Sequence, residues 1–204
     1  MPWRWLDRPV RSALALLACI CLMGISGCQE PAPSFHGIDV TGAEYARDFR
    51  LRDVDGQERS LADFKGRVTL VFFGFTQCPD VCPTALARAA EIRRLLGEDG
   101  KRLQVLFVTV DPERDKPDML RQYVTTFDPS FVALYGDLPT TRRTADEFKV
   151  FYQKVPTGSS YTMDHTALSY VFDAKGRLRL LVKPSESVAE CVEDVKRLLD
   201  TTRS

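Results

Sequence analysis

Histidine is scarce in this chain: 204 residues hold only His36 and His165. So few imidazoles leave little room for a metal site built mainly from histidine. Neither sign of charge prevails, with 28 Lys and Arg against 28 Asp and Glu, which argues against nucleic acid as a partner. No apolar run is long enough for a comfortable membrane span, which takes roughly 20 residues. Internal repeats and low-complexity segments are absent. The six cysteines fall into separate groups and lack the dense, even spacing of a small disulfide scaffold. What remains, 44% hydrophobic and 27% charged, is the composition of an ordinary globular domain.

The longest apolar run is "SALALLACICLMGIS", residues 12–26, and it follows a segment carrying Arg4, Arg8 and Arg11 against Asp7. A basic start, a short apolar stretch and small residues before a cut make a secretory signal peptide. "ISGC", residues 25–28, resembles a bacterial lipobox. That resemblance implies cleavage before Cys28 and acylation of its thiol and new amino group, an anchor of several acyl chains. Loss of residues 1–27 leaves 25 basic and 27 acidic side chains and removes Cys19 and Cys21. The Pro- and Gly-containing stretch after the anchor reads as a tether over residues 28–44, with the folded domain at 45–204.

Within the domain, "FRLRDVDGQERSL" alternates with period two around Asp55-Gly56 and predicts an N-terminal hairpin. "RVTLVFFGF" and "LQVLFVTVD" are apolar throughout and predict strands buried on both faces. Between them, "PTALARAAEIRRLLGEDG" predicts an amphipathic helix with Ala85, Leu86, Ala89, Ile92, Leu95 and Leu96 on one face. Further helices are expected over "DKPDMLRQYVTTF", capped by Asp115, over "LPTTRRTADEFKVFYQKV", and over "SESVAECVEDVKRLLDTT". "PTGSSYTMDH" reads as a loop, and "TALSYVFDAKGRLRLLV" as two antiparallel strands. This alternation predicts an α/β fold, a mixed central sheet with helices on both faces. A cysteine pair between a buried strand and its helix suggests the thioredoxin-like version of it.

That pair lies in "GFTQCPDVCP", residues 74–83. Cys78 and Cys82 are four apart, a spacing that on a helix puts both side chains on one face. Near a helix N-terminus both thiols are expected to be more acidic than free cysteine. They can close a disulfide, clamp a metal or form a structural bridge, and the spacing alone does not choose. His165, in "TMDHTALSY", precedes a strand whose entry faces the cysteines in a thioredoxin-like fold. Two thiolates and an imidazole suit copper. Zinc would accept the same donors, but a structural zinc site normally closes with a fourth protein ligand. Cys191 shares an apolar helix face with Val188, Val192 and Val195 and reads as a buried small hydrophobe.

"GFTQCPDVCP", "VTVDPERDKP" and "DHTALSYVFD", in that order, closely resemble the Sco/SenC family of membrane-tethered copper proteins over residues 45–200. The resemblance implies a thioredoxin-like fold and one copper ion, Cu(I) or Cu(II), held by Cys78, Cys82 and His165. It implies a role in assembling the dinuclear copper centre of cytochrome c oxidase subunit 2, as copper donor, as reductant of the target cysteines, or as redox sensor. A thiol–disulfide oxidoreductase would need only Cys78 and Cys82 as its redox-active pair; no distinct peroxidatic motif is present. Family function places the domain on the periplasmic side of the inner membrane, although Gln29 after Cys28 is not the Asp of the simplest retention signal. Asp111 is expected near the site, and Phe72, Phe73 and Phe75 in its wall or in the core.

Overall fold

The computed structural model describes residues 34–201. The signal segment 1–27 and Cys28 lie outside the described residues.

Two strands carry the architecture. β4 (Val68–Gly74) and β5 (Leu103–Thr109) are buried at every position, as their uninterrupted apolar sequences require. They pair in parallel, Phe72 opposite Phe107 and Gly74 opposite Thr109. The connection is α1 (Val81–Leu95), which buries Cys82, Leu86, Ala89 and Ile92. Leu95, expected on the same face, is exposed. The helix ends where Gly97 takes φ +58, a left-handed backbone that glycine accepts without strain.

The main sheet has eight strands in the order β1-β10-β9-β4-β5-β6-β2-β3. β1 is Ile38–Asp39, β2 Leu51–Asp53, β3 Glu58–Arg59, β6 Val132–Tyr135, β9 Ser169–Phe172 and β10 Leu178–Val182. β4, β5 and β6 are parallel, while β9 runs antiparallel to β4. β2 and β3 form the expected N-terminal hairpin, and β2 also pairs with β6.

Neighbouring residues of β4 point to opposite faces. Phe73 packs edge-on to Phe148, at the end of α3 (Leu138–Glu147), and to Tyr170 of β9. Phe72 packs near Phe107, which in turn meets Tyr123 of α2 (Pro117–Thr125). Helices therefore cover both faces. The closing α4 (Val188–Asp200) packs against α1 and starts with a capping box between Ser187 and Glu190.

Four further expectations of the fold need correction. Asp115 does not cap α2: the N-cap is Lys116, and Asp115 is buried. α3 ends at Glu147 instead of running on through Val155, because Lys149 turns left-handed at φ 54 and the chain becomes a strand. The "loop" before His165 is a hairpin of β7 (Tyr152–Thr157) and β8 (Ser160–His165), a separate two-stranded sheet. Its two-residue turn starts with Gly158 at φ +61, as a type II′ turn demands. Finally, residues 35–44, assigned to the tether, are built into the fold. β1 extends the sheet edge beside β10, and the buried carboxylate of Asp194 accepts the backbone N–H groups of His36 and Gly37.

Candidate metal centre

β4 delivers the chain to the carboxyl end of the sheet, where ligand sites of open α/β sheets gather. The turn there carries Cys78, half-buried, and Cys82, the second residue of α1, fully buried. Close approach of helix to strand is possible because Gly74 has no side chain. A Cβ there would lie 2.8 Å from Cys82 Sγ and 2.8 Å from the Phe107 ring. Replacing Gly74 by alanine should therefore destabilise the domain by about 1–3 kcal/mol through overpacking. The same variant should push Cys82 outward, so that it alkylates faster than in the parent. Denaturant midpoints and timed maleimide labelling check both, and an unchanged Cys82 labelling rate would contradict the packing argument.

Cys78 Sγ accepts the backbone N–H of Cys82 at 3.3 Å. On the separate hairpin, β8 ends at His165, whose Nε2 lies 3.5 Å from Cys82 Sγ. His165 Nδ1 is 3.0 Å from the Thr166 carbonyl, which can only accept, so Nδ1 carries the proton and Nε2 presents its lone pair. The rings of Phe72 and Phe75 stand edge-on to the imidazole, at 6.1 and 5.9 Å. One donor atom from each of Cys78, Cys82 and His165 falls within 4.8 Å of the others, the one such group of metal-binding side chains among the described residues. All three thiols of the described residues are free.

Burial decides the protonation states. It lowers the pKa of His165 below the ordinary 6.5, keeping the ring neutral and able to donate its lone pair. It raises the Cys82 thiol, the reverse of the acidic thiol expected at a helix N-terminus. The buried position outweighs the helix dipole, so Cys82 rests as a neutral thiol, and a bound cation would displace its proton. Burial also lifts Cys191 to about 11, in keeping with its place in the core.

The His165 shift has a testable consequence. A histidine with a lowered folded pKa leaves the unfolded chain the better proton acceptor, so its contribution to stability is lost as pH falls below 6.5. Between pH 7 and pH 5 the wild-type domain should lose more stability than a His165→Gln variant. Parallel urea midpoints for the two proteins would contradict it.

Asp80, between the two cysteines, is exposed at the N-cap of α1, and its carboxylate accepts Thr84 Oγ1 at 3.4 Å. Phe73 belongs to the core of the opposite face. Asp111 is buried and takes hydrogen bonds from Arg114 Nε at 2.5 Å and Tyr161 OH at 2.9 Å. Sequence reasoning missed the role of Asp115. Its carboxylate accepts Thr76 N–H at 3.1 Å, Thr76 Oγ1 at 2.5 Å and Thr109 Oγ1 at 2.6 Å, tying the cysteine loop to the end of β5. The motif "VTVDPERDKP" signalled this segment without revealing its partners.

Two sulfurs and one imidazole nitrogen converging in a partly buried site fit copper: the thiolates suit Cu(I), and the nitrogen suits Cu(II). Comparison with known proteins leads to the same chemistry. The SCO1/SenC family model matches residues 39–200. A SCO2-like protein of Rickettsia felis is 33% identical over 163 residues, spanning 78% of this chain and 80% of its own. The solved structure of Bradyrhizobium japonicum ScoI with copper bound is 39% identical, with a TM-score of 0.69 over 74% of this chain and 97% of that one. The solution structure of apo Sco1 from Thermus thermophilus is 38% identical, with a TM-score of 0.71 over 82% and 97%.

Proposed function

Because the chain belongs to the SCO1/SenC family, we propose that it is a membrane-tethered copper-binding assembly factor for cytochrome c oxidase. Its target is the dinuclear copper centre of subunit 2. Copper is the cargo, one ion per domain, held by Cys78, Cys82 and His165. The observation that carries this reading is the convergence of those three donors within 4.8 Å. Cu(I) or Cu(II) displaces the thiol protons on binding, and the neutral Nε2 of His165 completes the set. With three protein donors and a half-buried Cys78, the site leaves room for a thiolate of the target to enter, so transfer proceeds by ligand exchange.

A second role rests on the unequal exposure of the two cysteines. Cys78, the more accessible, attacks an oxidised target disulfide and forms a mixed disulfide, releasing one target thiolate. Cys82 then attacks Cys78 Sγ, releases the second target thiolate and closes a Cys78–Cys82 disulfide. Two electrons pass to the target, which becomes able to receive copper. The sulfurs lie apart in the reduced form, and a disulfide of about 2.05 Å would need the loop to move.

The lipid on Cys28 would hold the domain at the periplasmic face, the inner membrane being favoured by the target. No helix among the described residues is long and apolar enough to cross a membrane. The test is transfer from the copper-loaded soluble domain to the purified, reduced copper domain of oxidase subunit 2. Copper should move to the acceptor and produce its dinuclear spectrum. Retention of copper by the donor, together with full reduction of an oxidised acceptor by the metal-free domain, would assign the protein to thiol–disulfide exchange instead.

A further inference from the structure

Segment 111–115 supplies none of the three donors, yet its side chains grip both halves of the site. Toward the cysteine loop, Asp115 holds Thr76 and Arg114 Nη1 reaches Gln77 Oε1 at 3.2 Å. Toward the hairpin that ends in His165, Arg114 Nη1 donates to the Tyr161 carbonyl at 2.7 Å, and its guanidinium sits 3.7 Å from the centre of the Tyr161 ring. Tyr161 OH donates to Asp111, which also braces Arg114 Nε, and Glu113 pairs with Lys154 of β7. The hairpin needs such a seam, since β7 and β8 share no ladder with the eight-stranded sheet. Tyr152 and Met163 bury apolar surface beneath it, but apolar contact is non-directional and sets no register.

We propose that Arg114 is the positioning residue of the copper site, the clasp that sets His165 Nε2 at its distance from Cys82. Only arginine offers a planar fork that can meet Asp111, Gln77 and the Tyr161 carbonyl while stacking on an aromatic ring. Lysine keeps the charge and loses the fork. The proposal rests on the copper-site reading above, and its test separates the two.

Arg114→Lys should weaken copper binding by about 10- to 100-fold, the range for a residue that orients a metal ligand. In a His165→Ala background the same substitution should change affinity by less than about twofold, because the residue it positions is gone. In the metal-free protein, amide exchange over residues 161–165 should quicken while β4 and β5 keep their protection. Wild-type affinity and wild-type exchange in Arg114→Lys would overturn the clasp. So would losses that multiply in the double variant, or exchange that quickens everywhere, since either marks a general structural residue. A wild-type domain that binds no copper sinks the copper reading, and the exchange measurement still judges the clasp. Should Arg114→Lys not fold, Tyr161→Phe removes only the bond to Asp111. It should weaken copper binding about fivefold, the worth of roughly 1 kcal/mol, and unchanged affinity and exchange there would overturn the clasp equally.

Discussion

Replacing His165 by alanine should lower copper affinity by at least about 100-fold, while both thiols stay free and titratable. A residue that merely orients a ligand is worth about 10- to 100-fold, so the ligand itself should reach or exceed the top of that range. The substitution removes the only nitrogen of the three-donor group, leaving Cys78 and Cys82 as a bare dithiol. The fold should survive, because His165 ends a separate two-stranded hairpin and is half-buried, although its contacts with Phe72 and Phe75 are lost. A competition titration against a chelator of known affinity measures the change. Disulfide formation between the cysteines should persist in the variant, which separates the thiol chemistry from the metal chemistry in one protein.

Asp115→Ala should destabilise the domain by about 3 kcal/mol, because a buried donor left without its acceptor costs about 1–3 kcal/mol. Three donors lose their acceptor at once: the Thr76 amide, the Thr76 hydroxyl and the Thr109 hydroxyl. The hydroxyls can turn to other acceptors, but the amide cannot. Part of the loss is offset because burial already disfavours the charged carboxylate, raising its pKa despite these bonds. For a domain of this size the shift in Tm should be about 6–12 °C. Thr76 stands two residues before Cys78, so copper affinity should fall in the same variant. Calorimetry and titration read the two effects, and an unchanged Tm would mean that Asp115 does not hold the loop.

The contrast between His165 and Asp115 shows what was legible in the chain. β4, β5 and α1 announce themselves through unbroken apolar runs or a clean helical stripe, which follow from burial and need no tertiary information. The four-residue spacing of Cys78 and Cys82 is equally local. His165 is another matter: nothing near it in sequence marks it as a partner of a cysteine 83 positions away. Its place before a strand whose entry faces the cysteines in a thioredoxin-like fold pointed to it, the family resemblance agreed, and the fold brings it there. The β7–β8 hairpin was hidden because its strands are mostly polar and seldom fully buried, with Pro156 among them. Gly158-Ser159 was its one local signal. Asp115 was misjudged because an acid two residues before Pro117 looks like a cap, while Thr76 and Thr109 lie 39 and 6 residues away. Residues 35–44 read as a tether because a two-residue edge strand is too short to show a period, and the acceptor for their amides, Asp194, lies near the other end of the chain.

The central claim is that Cys78, Cys82 and His165 hold one copper ion together. Anaerobic titration of the reduced soluble domain with Cu(II), followed by absorbance, tests it most directly. A three-donor site predicts a thiolate-to-copper charge-transfer band that saturates at one equivalent and is lost or displaced in His165→Ala. A band identical in wild type and His165→Ala, or no saturable binding at one equivalent, would contradict it.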